Sequence, residues 1–250
     1  MENKVKPSSA KGFGRARETI IISLGGSLVA PGDPTSPSGF DGARIDLGFL
    51  KSFKHSLEKY LGQKKFFIIV GGGKICRMYQ KSLLELGAKS NDRDWMGIKV
   101  TWLNAEVVKQ LFDGNSYSKV ITDPNVKIKT NKEVTVVAGW KPGWSTDYDA
   151  VLIAKNHGAK TIINLSNIDY VYDKNPTQFP DAKPLKEIDW KSLERIVGDK
   201  WSPGLSVPFD PVASRLAAKL KLKVVMINGK NLDRLEDFLN NKPFIGTGIS

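Results

Sequence analysis

The amino-acid sequence predicts an α/β fold with a mostly parallel central sheet that is covered by helices on both faces. Three observations carry this prediction. Short apolar runs of strand length recur along the 250 residues, helical patterns lie between several of them, and glycines directly follow two of the runs. Strands that alternate with helices in this way are typical of parallel sheets.

Six apolar runs are predicted as strands. They cover residues 19–23, 65–70, 118–122, 133–139, 160–166 and 223–228. The segment 169–185, DYVYDKNPTQFPDAKPL, is turn-rich and aromatic, which indicates a hairpin or an excursion from the sheet.

Five segments are predicted as helices from the spacing of their apolar residues. They cover residues 46–61, 74–87, 95–112, 147–157 and 211–221. Within 74–87, four apolar residues fall on one face and Gly87 follows as a helix-ending residue. These four residues are Ile75, Tyr79, Leu83 and Leu86.

Two of the helices begin with recognisable capping sequences. Thr146 and Asp149 have the spacing of a capping box for helix 147–157. Asp210 and Pro211 provide an N-cap residue followed by proline at the first helical position.

The net charge is +12, from 38 Lys and Arg against 26 Asp and Glu. A charge of this size attracts polyanions: nucleic acid, an acidic membrane surface or phosphorylated small molecules. Part of the excess lies in the first seventeen residues, MENKVKPSSAKGFGRAR. Residues 1–18 are therefore predicted as a basic, disordered tail, and residues 19–250 as a single domain. Since no nucleic-acid-binding motif accompanies the charge, a nucleic-acid partner is not predicted.

The cysteine count and the lengths of the apolar runs indicate the cellular compartment of the protein. The only cysteine, Cys76, excludes an intramolecular disulfide framework and suits a reducing environment. No apolar stretch approaches the length of a membrane span. IIISLGGSLVA resembles a signal peptide, but its internal Gly-Gly favours a buried strand followed by a turn. We therefore expect a cytoplasmic protein without a membrane partner.

Glycine-rich junctions follow two of the predicted strands. Gly25, Gly26 and Ser27 follow IIISL, and residues 71–73 are three glycines between a strand and a helix. Glycine lets a ligand approach the main chain closely, and the amides at a helix N-terminus favour an anion. For either junction alone a tight turn is the better explanation, but two at the carboxyl ends of parallel strands favour a ligand.

Lys74 and Arg77 lie in the first turn of the helix after the second junction. Cations there oppose the helix dipole by about 0.3–1 kcal/mol each, and a bound phosphate would reverse that sign. The alternative is a pair of solvated charges.

The third junction, AGWKPGWSTDYDAVLIAK (138–155), places a rigid aromatic loop before a helix. Its two tryptophans have the shape to line a flat pocket, although tryptophan is equally common as a core anchor. Further on, Ser166, Asn167 and Asp169 follow a strand and precede two tyrosines, which suits a nucleoside pocket or a simple turn. Two histidines and one cysteine provide no zinc-site spacing, so no metal ligands are predicted in the protein.

Taken together, seven motifs in this order resemble the amino acid kinase superfamily and, within it, the archaeal-type uridylate (UMP) kinases. The resemblance runs from about Thr19 to the C-terminus. The motifs are SLGGSL, VGGGKICR, MGIKVTWLNA, AGWKPGWSTDYDAVLIA, NLSNIDYVYDKNP, VPFDPVASRLAA and IGTGIS.

The resemblance implies a three-layer αβα sandwich whose half at about 19–145 holds the acceptor and whose half at about 146–250 holds ATP. The ATP-binding residues that it implies are Gly26, Ser27, Gly73, Arg77, Ser166, Asn167, Tyr172 and Asn175. The UMP-binding residues are Gly72, Asp94, Trp140, Lys141, Pro142, Gly143, Trp144, Ser145 and Thr146. The catalytic residues are Lys74, Arg77, Asp147 and Asp210, the last two serving equally well as helix caps.

This chain departs from the family pattern at several positions. The family commonly has Thr-His-Pro-Gly-His where this chain has Trp140 to Trp144, which changes the groups that face the acceptor. Tyr170 replaces a frequent glycine, and Asn175 replaces a frequent aspartate. The lysine usual in the first motif is missing, so Arg77, Lys74, backbone amides and Mg²⁺ would supply the positive field.

The expected function is transfer of a phosphoryl group from Mg²⁺-bound ATP to UMP by a homohexamer, as the resemblance implies. Two alternatives stay open. One is a kinase of the same superfamily with another small acceptor. The other is a non-catalytic nucleotide-binding or storage protein on the same fold.

Overall fold

The computed structural model describes residues 17–32, 44–200 and 207–250. The predicted tail therefore lies outside the described residues as far as residue 16. Its last two residues are part of the fold: Arg17 forms an ion pair with Glu133 (2.9 Å), and Glu18 begins the first strand.

The described residues form nine strands and eight helices. In chain order these are β1 (Glu18–Leu24), α1 (Gly26–Val29), α2 (Leu47–Glu58), β2 (Lys64–Val70), α3 (Gly73–Glu85), α4 (Ser90–Leu111), β3 (Val134–Val137), α5 (Thr146–His157), β4 (Thr161–Ser166), β5 (Val171–Tyr172), β6 (Pro184–Leu185), β7 (Glu187–Ile188), α6 (Trp190–Val197), α7 (Pro211–Lys219), β8 (Lys223–Asn228), α8 (Leu232–Leu239) and β9 (Thr247–Ile249).

Seven strands form one sheet in the order β3-β2-β1-β4-β8-β9-β7. The first five are parallel, β9 runs antiparallel to β8, and β7 pairs in parallel with β9. Leu24 at the end of β1 lies opposite Val70 on one side and Leu165 on the other. The segments that follow β1, β2 and β4 therefore leave the sheet side by side.

Both faces of the sheet are buried, as the sequence predicts. Side chains alternate along β1, so that Ile20 and Ile22 join one apolar core and Ile21 joins the other. Helices α2, α4 and α8 cover the first core, while α5, α6 and α7 cover the second. The predicted three-layer αβα sandwich is confirmed.

The prediction of a strand at 118–122 is wrong. Only Ile121 pairs with the sheet, as a single bridge to Val137. Residues 118 and 119 form bends, and Asp123 and Pro124, two residues that are uncommon in strands, follow the run. The hairpin within 169–185 is confirmed, since β5 and β6 pair antiparallel with Val171 opposite Leu185.

Helix α3 has the predicted apolar spacing, but that face is not in the core. Within the described structure α3 contains no buried residue, and Tyr79 and Leu86 are 46% and 82% exposed. Helix α4 starts at Ser90, five residues before the predicted start. None of the helices in the described ranges has the length and apolar content needed to cross a membrane.

The predicted capping box at Thr146 and Asp149 is also wrong. The N-cap of α5 is Ser145, whose Oγ accepts a hydrogen bond from the N–H of Tyr148 (3.2 Å). A capping box with Ser145 as the N-cap would need its acidic partner at position 148. Asp149 lies one residue too far along, and it is fully buried beneath the preceding loop.

We expect Ser145→Ala to lower the free energy of unfolding by about 1 kcal/mol, the usual cost of losing an N-cap side chain. Thr146→Ala is the matched control and should change it by less than about 0.5 kcal/mol. Urea unfolding followed by circular dichroism measures both. A larger loss for Thr146→Ala would restore Thr146 as the cap.

Candidate active site

The two glycine-rich segments meet at the carboxyl edge of the sheet. A Cβ atom on Gly26 would lie 2.1 Å from the nitrogen of Gly73 and 2.5 Å from the carbonyl carbon of Gly71, so these backbones are in direct contact. Gly73 itself has a φ of +69°, which side-chain-bearing residues rarely adopt. The two predicted phosphate-binding segments thus form one continuous surface.

Arg77 connects the two segments through its side chain. Its Nη2 donates a hydrogen bond to Oγ of Ser27 (2.8 Å), although fifty residues separate the two in sequence. The N-cap of α3 is Gly72, so no side chain caps this helix. The sequence predicts free amides at the N-terminus of this helix. The backbone N–H of Lys74, however, donates to the carbonyl of Ala30 (3.0 Å) and is therefore not available to a ligand.

Helix α4 holds the second glycine segment in place. The buried Asn104 donates hydrogen bonds from Nδ2 to the carbonyls of Gly71 (2.9 Å) and Gly72 (3.2 Å). Because both carbonyls are fixed, the peptide planes that follow them have a fixed direction. Asn104 was not predicted from the sequence, and the one signal that marks it is a polar amide among the buried residues of α4.

The same helix also fixes Gly139, the residue that precedes the loop of the third junction. Thr101 accepts a hydrogen bond from the N–H of Gly139 at 2.8 Å, and Trp102 donates from its indole nitrogen to the carbonyl of Gly139 at 2.8 Å. Both polar groups of this glycine are thus satisfied by consecutive residues of α4. Both residues lie in the segment MGIKVTWLNA, which the sequence marks only through the family resemblance.

Asp94 of α4 contacts the acceptor loop, which we define as residues 140–145. Its Oδ2 accepts a hydrogen bond from the N–H of Gly143 (2.7 Å), and burial raises the pKa of Asp94 despite that bond. The sequence resemblance assigned Asp94 to a ribose, and the carboxylate has a second oxygen for that purpose. Asp94 and the acceptor loop are therefore in direct contact.

The two tryptophans of the acceptor loop and Tyr148 of α5 form two stacked ring pairs. Trp144 stacks on Tyr148 with ring centroids 4.1 Å apart, and Trp140 lies 6.4 Å from Trp144 with an interplanar angle of 26°. Nζ of Lys141 lies 3.9 Å from the centroid of Trp140. Pro142 and Gly143 form the turn that brings the two tryptophans together.

Asp147 and Asp210 lie together beside the carboxyl end of β1. Asp147 accepts hydrogen bonds from Ser23 Oγ (3.0 Å), from Asn164 Nδ2 (3.1 Å) and from the backbone N–H of Asp210 (3.2 Å). Burial, and secondly the charge of Asp210, raises the pKa of Asp147 to about 7. Ser23 occupies the strand end before the first glycine segment, and the sequence analysis did not single it out.

Asp210 serves both as a helix cap and as part of this carboxylate pair. Its Oδ1 accepts from the N–H of Ala213 (2.6 Å), as the capping prediction required. Its Oδ2 is buried and has no hydrogen-bond partner among the described residues. Burial raises the pKa of Asp210, so the pair favours a ligand that brings positive charge.

The raised pKa of Asp147 predicts the direction of one pH dependence. The folded state holds the proton up to about pH 7, whereas an unfolded carboxyl releases it near pH 4. The free energy of unfolding should therefore fall as the pH rises from about 4 to about 7. Asp147→Asn should make this slope shallower, as measured by urea unfolding at pH 5, 6, 7 and 8. An unchanged slope would show that Asp147 is ionised throughout.

Most of the predicted nucleoside residues converge on one cavity of about 660 Å³. Ser166, Asn167, Tyr172 and Asn175 line it, as does Arg195 of α6, which was not predicted from the sequence. Asp169 does not line it: its Oδ1 accepts hydrogen bonds from Asn228 (3.0 Å) and from Arg234, so its assignment to a nucleoside pocket is wrong. Oδ1 of Asn175 accepts hydrogen bonds from the N–H and Oγ1 of Thr177, and so Asn175 also shapes the adjoining turn.

A parallel sheet with covered faces and two joined glycine segments at its carboxyl edge is typical of α/β proteins that bind ligands at this edge. The model of the amino acid kinase family matches residues 18–228. The chain belongs to the amino acid kinase family, and the resemblance found in its motifs is confirmed.

Among the similar proteins is the uridylate kinase of Pyrococcus abyssi, 30% identical over 226 residues, which cover 89% of this chain and 96% of that protein. The uridylate kinase of Thermoplasma volcanium is 32% identical over 237 residues, with 93% and 97% covered. The crystal structure of uridylate kinase from Archaeoglobus fulgidus superposes with a TM-score of 0.75 at 28% identity, covering 92% of this chain and 99% of that one. UMP kinase from Ureaplasma parvum shares the fold, with a TM-score of 0.74 at 20% identity over 94% of this chain and 100% of that one.

Proposed function

We propose that this protein is a phosphotransferase that transfers the γ-phosphoryl group of ATP to UMP, giving UDP and ADP. The observation that carries the proposal is the backbone contact between Gly26 and Gly73, with Arg77 bonded to Ser27 across it. Two phosphate-binding segments in contact suit a reaction between two phosphates. The similar proteins that match over most of their length are named uridylate kinases, and these names support UMP as the acceptor.

In this proposal each substrate occupies one part of the site. ATP binds with its phosphates at Gly26, Ser27 and Gly73 and its nucleoside in the cavity that contains Tyr172. UMP binds with its phosphate at Gly72, its ribose at Asp94 and its base at the acceptor loop.

Transfer then requires mainly positioning and charge neutralisation. The UMP phosphate is already an anion, so it attacks the γ-phosphorus in line without a strong base. Arg77 lies between the two segments and stabilises the charge on the transferring group. Lys74 is on the same helix turn and adds to the positive field.

Mg²⁺ fits this site as a partner of ATP. No group of three or more His, Cys, Asp or Glu in the described ranges could hold a metal on its own. Asp147 and the buried, unpartnered Oδ2 of Asp210 provide the one or two carboxylates that Mg²⁺ commonly uses together with phosphates. When bound, the ion would neutralise charge on the phosphate oxygens.

A substrate panel tests the proposal. With Mg²⁺ and ATP, a coupled ADP-release assay should give turnover on UMP and little on acetylglutamate, carbamate or isopentenyl phosphate. Turnover on one of these with none on UMP would establish a different acceptor, the alternative raised by the Trp140 and Trp144 substitutions. Tight nucleotide binding without any product would establish a non-catalytic binding protein.

We also propose a cytoplasmic homo-oligomer, a hexamer by analogy with the motif resemblance, with no nucleic-acid or membrane partner. The unburied apolar face of α3 supports self-association, since Tyr79 and Leu86 on this face are 46% and 82% exposed. Light scattering coupled to size exclusion should give a mass several times 27.6 kDa, and a monomer would contradict this.

A further inference from the structure

Asp149 is a buried carboxyl group to which the proposed reaction gives no role. Its side chain is fully buried on α5, and its Oδ1 has no hydrogen-bond partner in the part of the chain that the structure describes. A buried polar atom without a partner costs free energy, and natural structures contain few of them. Because such departures are expected at functional sites, Asp149 points to a role other than stability.

The other oxygen of Asp149 contacts the acceptor loop. Oδ2 accepts a hydrogen bond from the backbone N–H of Trp140, the first residue of that loop (3.2 Å). The preceding residue, Gly139, is fixed by a different helix, since its N–H and its carbonyl both bond to side chains of α4. The entry of the acceptor loop is therefore held by two helices, α4 and α5.

Helix α5 carries a second carboxyl group, Asp147, two residues before Asp149. Asp147 bonds to Ser23 at the end of β1 and to the backbone of Asp210. Residues two apart on a helix lie about 200° apart around its axis, so the two carboxyl groups leave α5 in nearly opposite directions. One helix therefore connects the acceptor loop to the carboxylate pair of Asp147 and Asp210.

We propose that Asp149 is a positioning residue for the acceptor: by holding the N–H of Trp140, it fixes the entry of the acceptor loop against α5. The inference rests on the proposed UMP kinase function, in which this loop holds UMP, and it assigns Asp149 to the binding of UMP and not of ATP. The carboxyl group is kept despite its unpartnered oxygen because an apolar residue in its place could not accept the hydrogen bond from Trp140.

The kinetic experiment compares Asp149→Ala and Asp149→Asn with the wild type. Asp149→Ala should raise KM for UMP by about 5- to 10-fold, the net size of one hydrogen bond, and leave KM for ATP within about twofold. Asp149→Asn retains an amide oxygen that accepts from Trp140, so its KM for UMP should stay within about twofold of the wild-type value.

Unfolding in urea separates a positioning role from a structural one. A residue that only stabilised the fold would lower the urea midpoint when it is removed. Because Asp149→Ala removes a buried oxygen that has no partner, its midpoint should equal or exceed that of the wild type. Thr135→Val is the matched control: Thr135 of β3 is also fully buried, its Oγ1 has no partner within residues 17–32, 44–200 and 207–250, and its replacement should leave KM for UMP unchanged.

Hydrogen exchange without substrates distinguishes a failure of this inference from a failure of the proposed reaction. The backbone amide of Trp140 should exchange faster in Asp149→Ala than in the wild type or in Asp149→Asn, while protection within α5 stays the same. Faster exchange in Asp149→Ala, with no turnover of UMP by the wild type, would reject the kinase proposal and keep the contact that fixes the loop. Unchanged exchange at Trp140, an unchanged KM for UMP in Asp149→Ala, an equal rise in Asp149→Asn, or a lowered urea midpoint would each overturn the positioning role.

Discussion

Replacement of Arg77 by alanine is expected to lower kcat/KM for UMP by about 10³-fold. Arg77 bonds to Ser27 and so lies where the two glycine segments meet, the position from which a guanidinium neutralises a transferring phosphoryl group. Removing one preorganised donor from such a site commonly costs about 10²–10³-fold, and the missing first-motif lysine leaves Arg77 more of the charge to carry.

Lys81→Ala provides the matched control for Arg77→Ala. Lys81 lies one turn further along α3, where its side chain is 58% exposed and pairs with Glu85 at 4.0 Å. Its loss should leave kcat/KM within about twofold, since exposed pairs on a helix contribute little. Steady-state kinetics with both substrates varied measures the two variants. Full activity in Arg77→Ala would show that the phosphates bind elsewhere.

Gly26→Ala is expected to abolish most activity and to destabilise the fold. The new methyl group would lie 2.1 Å from the nitrogen of Gly73 and 2.6 Å from that of Gly72, and backbone atoms cannot turn aside as a side chain can. We expect a loss of about 3 kcal/mol in unfolding free energy. The forced separation of the segments should also lower kcat/KM by at least about 10²-fold.

Gly48→Ala is the matched control for this substitution. Gly48 lies in α2, where the nearest atom to an added Cβ is Oδ1 of Asp46 at 3.4 Å, an ordinary contact. Alanine should be neutral there or raise the unfolding free energy by up to about 1 kcal/mol. Urea unfolding and the coupled kinase assay report on both variants. A Gly26→Ala protein as stable and active as Gly48→Ala would refute the close backbone contact.

Most of the fold could be predicted from sequence because its strands are buried on both faces. Such strands appear as continuous apolar runs, and five of the six predicted runs are strands of the sheet. The failure at 118–122 shows the limit of this signal. Val120 and Ile121 pack against the two apolar cores as strand residues do, but the bends at 118 and 119 leave only Ile121 paired with the sheet, and an apolar run does not reveal such bends.

Site residues that lie in recognisable motifs could be predicted from the sequence, whereas residues that act through contacts between distant segments could not. Gly26, Gly73 and Arg77 stand in recognisable segments, and the structure brings them together. Asn104 and Asp149 act on residues 32 and nine positions away, through hydrogen bonds that no local pattern announces. The Ser145 cap was missed by one residue because serine and threonine are both good caps.

The hydrogen bonds from α4 set the distance between the two ends of the acceptor site. Asp94 and Asn104 are ten residues apart on one helix, which corresponds to about 15 Å along its axis. One end bonds to the loop that carries the tryptophans, and the other bonds to the glycines at the expected phosphate. In the proposed site, this helix would therefore select acceptors by length: a molecule as long as a nucleotide would reach both ends, and one as short as carbamate would leave one of them in water.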